Sequence, residues 1–250
     1  MSALPWGVFD TLDLCWLGSN DEGTGPRVHE DEQVAMVSHT RVRFLSDTEA
    51  SDVLHASPAS LAPAVALGLL AGLRGGEICM LRRQSDIDLS AGVLRIQKRP
   101  GWQPKYGKNR DVPISSALRP YMETAMAYRP ETPYLFASPT DAKAPIIIEK
   151  LRRDIYRVVT DAGLETGRDE AEGITLHTLR HTFASWLVMA GADLLTISRL
   201  MGHSGIKQVE QTYSHLSPEH KRATVELLAT RWLTGPQDTT GDTTDATNEG

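Results

Sequence analysis

The sequence predicts a mainly α-helical domain that carries one small antiparallel β-sheet. Apolar residues recur at helical spacing along most of the chain, most clearly over 176–190. Only two short segments, 93–96 and 111–114, have the composition and the flanking residues of strands. A hydrophobic content of 40% over 250 residues is enough for a normal buried core.

The predicted helices are marked by start and stop residues. Ser46 with Glu49 three positions later forms a capping box, which predicts a helix start. Gly72, Gly191 and Gly202 each follow an apolar periodic segment and predict a helix end. The expected helices span about 46–56, 58–71, 115–128, 148–162, 176–190, 194–201, 205–215 and 218–232.

A long basic loop joins the two predicted strands. It holds five cationic side chains, Lys98, Arg99, Lys105, Lys108 and Arg110. Trp102 and Tyr106 lie among them, and aromatic residues within a basic segment favour contact with nucleic acid over a merely solvated hairpin. We therefore expect Lys98, Arg99, Lys108 and Arg110 to contact DNA.

Charge divides the chain into three parts. Residues 1–40 hold seven acidic residues and one arginine, and 235–250 hold four acidic residues and no base. We expect both segments to be disordered and 41–234 to form the folded domain. That domain has 25 Lys and Arg against 21 Asp and Glu, so it is mildly basic although the whole chain has a net charge of −6.

The remaining composition excludes several classes of protein. The longest apolar segment, 61–73, is too short to span a bilayer, and the N-terminus has no secretory signal pattern. The two cysteines, Cys15 and Cys79, are too few for a disulfide framework or a cysteine-rich zinc site. We expect a reduced, cytoplasmic protein without membrane association.

Several residues have the chemistry needed to cleave a phosphodiester, which requires a nucleophile, cations for the phosphoryl oxygens and an acid for the leaving oxygen. Arg74 stands between glycines that allow a ligand close to the backbone, although a surface arginine in a turn is an equal alternative. His177 and Arg180, three positions apart, share one helix face. Tyr213 is the only tyrosine after them.

Zinc binding is a weaker interpretation of the same helix. His177 and His181 are four residues apart, which is a spacing that zinc ligands use. The segment lacks the glutamate of a metalloprotease motif and has no acidic residue nearby as a third ligand.

Five segments together resemble the phage-integrase type of tyrosine recombinase. They are Gly72–Glu77 (GLRGGE), Lys105–Ile114 (KYGKNRDVPI), His177–Ser185 (HTLRHTFAS), Leu200–Ser204 (LMGHS) and Thr212–Glu219 (TYSHLSPE). Each segment alone is a weak signal, but five in the family's order over about 42–232 make the resemblance specific. The resemblance implies the recombinase catalytic-domain fold.

The resemblance also implies a role for each residue. Arg74 and Arg180 would clamp the scissile phosphate, and His177 and His203 would hydrogen-bond to it. Lys105 would protonate the leaving 5′-oxygen. Tyr213 would form a 3′-phosphotyrosyl bond, so that neither a metal nor a nucleotide cofactor is expected.

Some assignments stay open. Lys108 or Lys98 could replace Lys105, because the loop is longer than the family's usual hairpin. Glu77 is expected to orient Arg74 or cap its helix, and His181 and His215 to serve packing or hydrogen bonding. Ten residues separate His203 from Tyr213, one more than is common in the family.

The resemblance implies an enzyme that cleaves and rejoins double-stranded DNA at specific sites and assembles as a tetramer, with the 218–232 helix docking on a neighbouring subunit. Family members usually place a helical core-binding domain before the catalytic domain, and 1–40 is too short for one. The alternative is therefore a truncated relative that binds DNA but does not recombine it unaided. A type IB topoisomerase is a third possibility.

Overall fold

The computed structural model describes residues 43–167, 172–203, 205–213 and Leu216. Its helices are α1 (Asp47–Ala56), α2 (Ala62–Ala71), α3 (Gly75–Met80), α4 (Arg83–Asp86), α5 (Arg119–Ala127), α6 (Ile148–Asp161), α7 (Leu176–Met189), α8 (Leu194–Met201) and α9 (Ile206–Tyr213). Its strands are β1 (Ile87–Asp88), β2 (Val93–Ile96) and β3 (Arg110–Pro113). One turn of 3₁₀ helix, Lys105–Gly107, lies in the loop between β2 and β3.

The three strands form one antiparallel sheet with β2 in the middle. Val93 stands opposite Pro113, and Ile96 stands opposite Arg110. The expected pairing of the two segments on either side of the basic loop is therefore confirmed, and so is the mainly helical fold with a small antiparallel sheet.

Helix α2 is the centre of the larger hydrophobic core. It is apolar on all sides, because α1, α5 and α7 all pack against it. The helix ends at Gly72, whose φ of +62° suits glycine. A Cβ at this position would also collide with the ring of Phe183, so glycine allows α7 to approach the end of α2.

A smaller core lies between α7, α8 and α9. Its fully buried members are Phe183, Ala184, Val188, Ile197, Met201, Val209 and Tyr213. Helix α7 belongs to both cores, because Leu179 packs in the larger one and Phe183 in the smaller one. The segment of α7 between these two residues, which carries Arg180 and His181, therefore lies where the two cores meet.

Two helices begin later than the sequence predicts, for a common reason. Helix α2 begins at Ala62 instead of Pro58, and α5 begins at Arg119 instead of 115. A proline occupies the first turn of each helix, where its missing N–H has no intrahelical partner to lose.

No range is predicted from the sequence for α3, α4 or β1, because each is too short for a period to show. A helix start after Arg74, with Glu77 as a cap, is expected from the sequence, and α3 begins there. The expectations for 1–40, 218–232 and 235–250 lie outside the described residues. Within the described ranges no helix is long and apolar enough to cross a membrane.

Candidate active site

Arg74 lies at the junction between the end of α2 and the start of α3. Its backbone N–H donates to Oε2 of Glu77 at 2.9 Å, so Glu77 satisfies a donor that the helix start would leave unbonded. The Arg74 guanidinium also reaches the same carboxylate, with Nη1 3.3 Å from Oε1. The expected role of Glu77, orienting Arg74 and capping its helix, matches these contacts.

Glu77 also holds a second arginine. Arg110, at the start of β3, donates from Nη1 to Oε1 at 2.9 Å and from Nη2 to Oε2 at 2.7 Å. The two side chains are only 6% and 2% exposed. Burial alone would raise the pKa of Glu77, but the hydrogen bonds and positive charge of Arg110 outweigh it and lower that pKa below its ordinary value.

The C-terminal end of α8 holds three arginines. The carbonyl of Leu200 accepts from Nε of Arg110 at 2.7 Å, and that of Met201 accepts from Nη1 of Arg74 at 3.2 Å and from Nη2 of Arg180. The last carbonyls of a helix have no intrahelical partner and carry its negative dipole end, which favours cations. The end of α8 thus gathers Arg74, Arg110 and Arg180.

Gly202 makes this convergence sterically possible. The residue ends α8 with a φ of +63°, and a Cβ there would lie 2.9 Å from Nη1 of Arg110. Glycine therefore serves both the backbone turn and the close packing of the guanidinium. His203 follows directly and is carried into the same cluster.

The cluster has an excess of positive charge. Among the described residues, Arg74, Arg110 and Arg180 surround one carboxylate, that of Glu77. Arg180 is 1% exposed, and burial together with the charge of Arg74 lowers its pKa to about 9, so it stays protonated at neutral pH. An excess of fixed cations away from water is an environment that binds and stabilises an anion.

Two histidines border this cluster. His177 is exposed in the first turn of α7, where its N–H donates to Thr175 Oγ1 at 3.1 Å. His203 is half-buried, and burial with the charge of Arg180 lowers its pKa to about 4. Nδ1 of His203 and Nε of Arg180 are buried and have no hydrogen-bond partner within the described residues. Nε of Arg180 is thus available as a donor at the positive cluster, and Nδ1 of His203 as a donor or an acceptor according to its tautomer.

Tyr213 is the last residue of α9 and is 1% exposed. Burial raises the pKa of its phenol well above the ordinary value, and the positive charge of Arg180 acts in the opposite direction. The hydroxyl is hydrogen-bonded to Nδ1 of His181. The structure therefore brings the predicted nucleophile close to Arg180 of the cluster. Its hydroxyl contacts His181, for which the sequence predicts only packing or hydrogen bonding.

The tip of the β2–β3 loop lies over Arg74. Tyr106 adopts an uncommon φ of +72°, and its ring centroid is 5.8 Å from Cζ of Arg74. Nζ of Lys105 lies 5.4 Å from the same centroid. Lys105 and Arg74 thus both lie close to one aromatic ring, and the choice of Lys105 as the catalytic lysine stays a prediction.

The model of the phage integrase family matches residues 41–220 of this chain. The chain belongs to the phage integrase family. This match includes all six residues for which the sequence analysis predicts catalytic roles, namely Arg74, Lys105, His177, Arg180, His203 and Tyr213.

Individual relatives agree with this membership. Tyrosine recombinase XerA of Pyrococcus furiosus is 29% identical over 157 residues, which cover 62% of this chain and 50% of the relative. A crystal structure of XerA recombinase superimposes with a TM-score of 0.58 at 25% identity, covering 75% of this chain and 65% of that one. The Tn1549 transposon integrase shares the fold, with a TM-score of 0.60 at 21% identity. The superposition covers 74% of this chain and 65% of that integrase. The chain spans about half the length of the curated relatives it matches.

In this integrase-family chain, the four residues expected to contact DNA differ in exposure and in their ion pairs. Lys98 and Lys108 are exposed on the hairpin. Arg99 is paired with the buried Asp86 at 2.6 Å, and Arg110 is buried against Glu77. DNA contact by any of them stays a prediction. The two arginines are paired with carboxylates, and Arg110 also donates to the carbonyl of Leu200 at the end of α8.

A groove of about 510 Å³ opens beside the cluster. Arg74 and His177 line it together with Arg152 and Tyr156 of α6. Arg152 has neither an ion pair nor a hydrogen bond from its side chain within the described residues. Neither α6 residue is predicted from the sequence, because both lie outside the five motifs. Only the packing of α6 on α3 brings them to the groove.

The zinc interpretation gains no support from the geometry. Nδ1 of His181 is engaged with the Tyr213 hydroxyl. The described residues contain no group of three His, Cys, Asp or Glu side chains that could hold a metal ion.

Proposed function

We propose that this chain cleaves and rejoins DNA strands at specific sites through a covalent intermediate on Tyr213. The observation that carries the proposal is the meeting of a tyrosine hydroxyl with an excess of buried guanidinium charge. A phosphate is the anion that suits such a cluster, because guanidinium groups offer paired donors to its oxygens. Family membership supports the same reaction.

The chemistry follows from these groups. The Tyr213 oxygen attacks phosphorus and releases its proton to water, while the bond from phosphorus to the 5′-oxygen breaks. Lys105 supplies a proton to that leaving oxygen, and Arg74, Arg180, His177 and His203 stabilise the charge on the phosphoryl oxygens. The resulting 3′-phosphotyrosine keeps the bond energy, so that a 5′-hydroxyl of another strand can reverse the step.

Relatives provide the support for DNA as the substrate. The matched relative in Pyrococcus furiosus is named a tyrosine recombinase, and the Tn1549 integrase was solved in complex with transposon right-end DNA. We extend to this chain double-stranded DNA as its partner, self-association as a tetramer on paired sites and a cytoplasmic location.

A second candidate function is DNA binding without unaided recombination. The observation that favours it is the burial of Tyr213, which is 1% exposed and whose phenol pKa is raised. Under this alternative the nucleophile becomes accessible only when a partner or the bound DNA moves α9.

A covalent-capture experiment tests the proposal. A pool of randomised nicked duplexes is incubated with the protein, and SDS-resistant adducts are recovered and sequenced. The wild-type chain and Tyr128→Phe, which alters an exposed tyrosine, should both give adducts, whereas Tyr213→Phe should give none. Retention of DNA without any wild-type adduct would favour the second candidate. An adduct that persists in Tyr213→Phe would refute Tyr213 as the nucleophile.

A further inference from the structure

The hydroxyl of Tyr213 makes one recorded side-chain hydrogen bond among the described residues, to Nδ1 of His181. None of the roles taken from the family resemblance includes His181. The sequence analysis expected packing or hydrogen bonding from it, without naming a partner. Its contact with the proposed nucleophile calls for a physical account.

Three rings follow one another along this face of α7. His177 and His181 are one helical turn apart, and their rings meet edge to face with centroids 4.4 Å apart. The ring of Tyr213 follows with its centroid 5.9 Å from that of His181 and an interplanar angle of 52°. His181 therefore links the exposed His177, at the edge of the groove, to the buried tyrosine.

Burial makes the hydrogen bond important for the direction of the phenol. The Tyr213 ring packs in the smaller core, whose other members are apolar. A buried hydroxyl that loses its only partner carries a desolvation penalty and relaxes toward another one. His181 thus determines where the oxygen of Tyr213 points while the apolar residues hold the ring.

The protonation state of His181 decides which kind of partner it is. Burial, with the charges of His177, Arg180 and His203, lowers its pKa to about 3, so the imidazole is neutral at physiological pH. A neutral imidazole with its proton on Nε2 accepts through Nδ1 and leaves the phenol oxygen's lone pairs free. A group with so low a pKa is a hydrogen-bond acceptor and a poor store for the phenol's proton.

We propose that His181 is a positioning residue for the nucleophile: its Nδ1 accepts the hydrogen bond of the Tyr213 phenol and orients the oxygen for attack at the phosphate held by the arginine cluster. The inference rests on the proposed function for its catalytic consequence. The contact itself concerns the free protein and can be tested without DNA.

The first test uses nitrogen NMR of the ¹⁵N-histidine-labelled protein without DNA. His181 should be neutral at neutral pH, with the proton on Nε2 and a hydrogen-bonded Nδ1. Its signals are assigned by their loss in His181→Asn. In Tyr213→Phe, which removes only the hydroxyl, the Nδ1 signal should shift. A proton found on Nδ1, or Nδ1 signals unchanged in Tyr213→Phe, would overturn the proposal.

The second test measures the rate of adduct formation on a nicked duplex that the wild-type chain captures. His181→Leu removes the acceptor, and the rate should fall about 10- to 100-fold with unchanged DNA affinity, since one oriented hydrogen bond is lost. His181→Asn offers an amide oxygen near the position of Nδ1 and should recover to within about fivefold of wild type. His55→Leu, on the exposed face of α1, is the matched control and should react at the wild-type rate.

The outcomes separate the two proposals. Wild-type rates in His181→Leu, or equal defects in His181→Asn and His181→Leu when both melt at the wild-type temperature, would overturn positioning by an acceptor. A wild-type chain that forms no adduct would refute the proposed function and the catalytic consequence of the contact. The NMR measurement would still decide whether His181 accepts from Tyr213.

Discussion

Among single residues, Glu77 determines the arrangement of the cationic cluster. Its carboxylate accepts hydrogen bonds from the backbone N–H and the guanidinium of Arg74 and from both terminal nitrogens of Arg110. A buried carboxylate of this kind matters less for its own interaction energy than for the cost of leaving its partners unpaired. Removing its charge would leave Arg74 and Arg110 without their ion-pair partner among the described residues.

Glu77→Gln should therefore lower the free energy of unfolding by roughly 3 kcal/mol, because the variant keeps the shape of the side chain but not its charge. Urea unfolding measures the change. Glu131→Gln is the matched control, since Glu131 is exposed and its ion pair with the half-exposed Arg129 is 3.6 Å long, and it should unfold like wild type. Equal stability of both variants would show that the arginines do not depend on Glu77.

The two half-buried histidines, His181 and His203, predict how stability depends on pH. The pKa values of His181 and His203 are lowered to about 3 and about 4 from an ordinary 6.5. Below pH 6.5 the unfolded chain therefore binds protons that the folded chain does not yet accept. The free energy of unfolding should have its full value above pH 6.5 and should decrease as the pH falls toward about 4.

Urea midpoints measured across this range would check the dependence. The double variant of His181→Asn with His203→Asn should have a weaker dependence than wild type, because two of the groups that take up protons on unfolding are gone. A wild-type midpoint that does not change between pH 6.5 and about 4 would contradict the assigned pKa directions.

At the scale of elements, the site forms where the ends of α2, α3 and α8 pack against one side of α7. The end of α2, the start of α3 and the end of α8 bring the arginines together, while α7 supplies both histidines of its motif. Helix α6 packs on α3 and contributes Arg152 and Tyr156 to the lining of the groove. A DNA backbone that reaches Arg74 through this groove would pass Arg152.

We predict that Arg152→Ala weakens DNA binding about 5- to 30-fold, as expected for the loss of one phosphate contact. Fluorescence anisotropy with the captured duplex measures the affinity. Arg153→Ala is the matched control, because the neighbouring arginine is exposed and does not line the groove. Equal affinities of the two variants would exclude Arg152 as a contact.

At the scale of the whole molecule, charge is distributed in favour of DNA binding. The chain has a net charge of −6, yet the acidic excess belongs to 1–40 and 235–250, while 41–234 has more bases than acids. The segment 41–234 can therefore approach a polyanion although the protein as a whole is acidic.

Binding to the duplex should weaken steeply with salt, with a logarithmic slope of about −0.9 for each phosphate that is neutralised. The double variant Lys98→Ala with Lys108→Ala should reduce that slope by about 1 to 2, because both lysines are exposed on the hairpin. A dissociation constant that does not change with salt would contradict a clamp built on phosphate contacts.

The sequence alone determined the fold class, the order of most elements and the identity of the family. Local signals were sufficient there: the capping box at Ser46 begins α1, and Gly72 and Gly202 end α2 and α8. The motif residues were recognisable as well, because cleavage of a phosphodiester restricts which side chains can serve. The bounds of α3 and the existence of α4 were not predicted, because one or two helical turns have no detectable period.

Only the tertiary structure decided what each charged side chain does. Arg110 and Lys108 are two residues apart in one basic loop, yet Arg110 is buried on Glu77 and Lys108 is exposed. His181 and Tyr213 are 32 positions apart and share a hydrogen bond. These roles depend on burial and on which helix ends meet, and both are set by packing between distant segments, which local sequence does not encode.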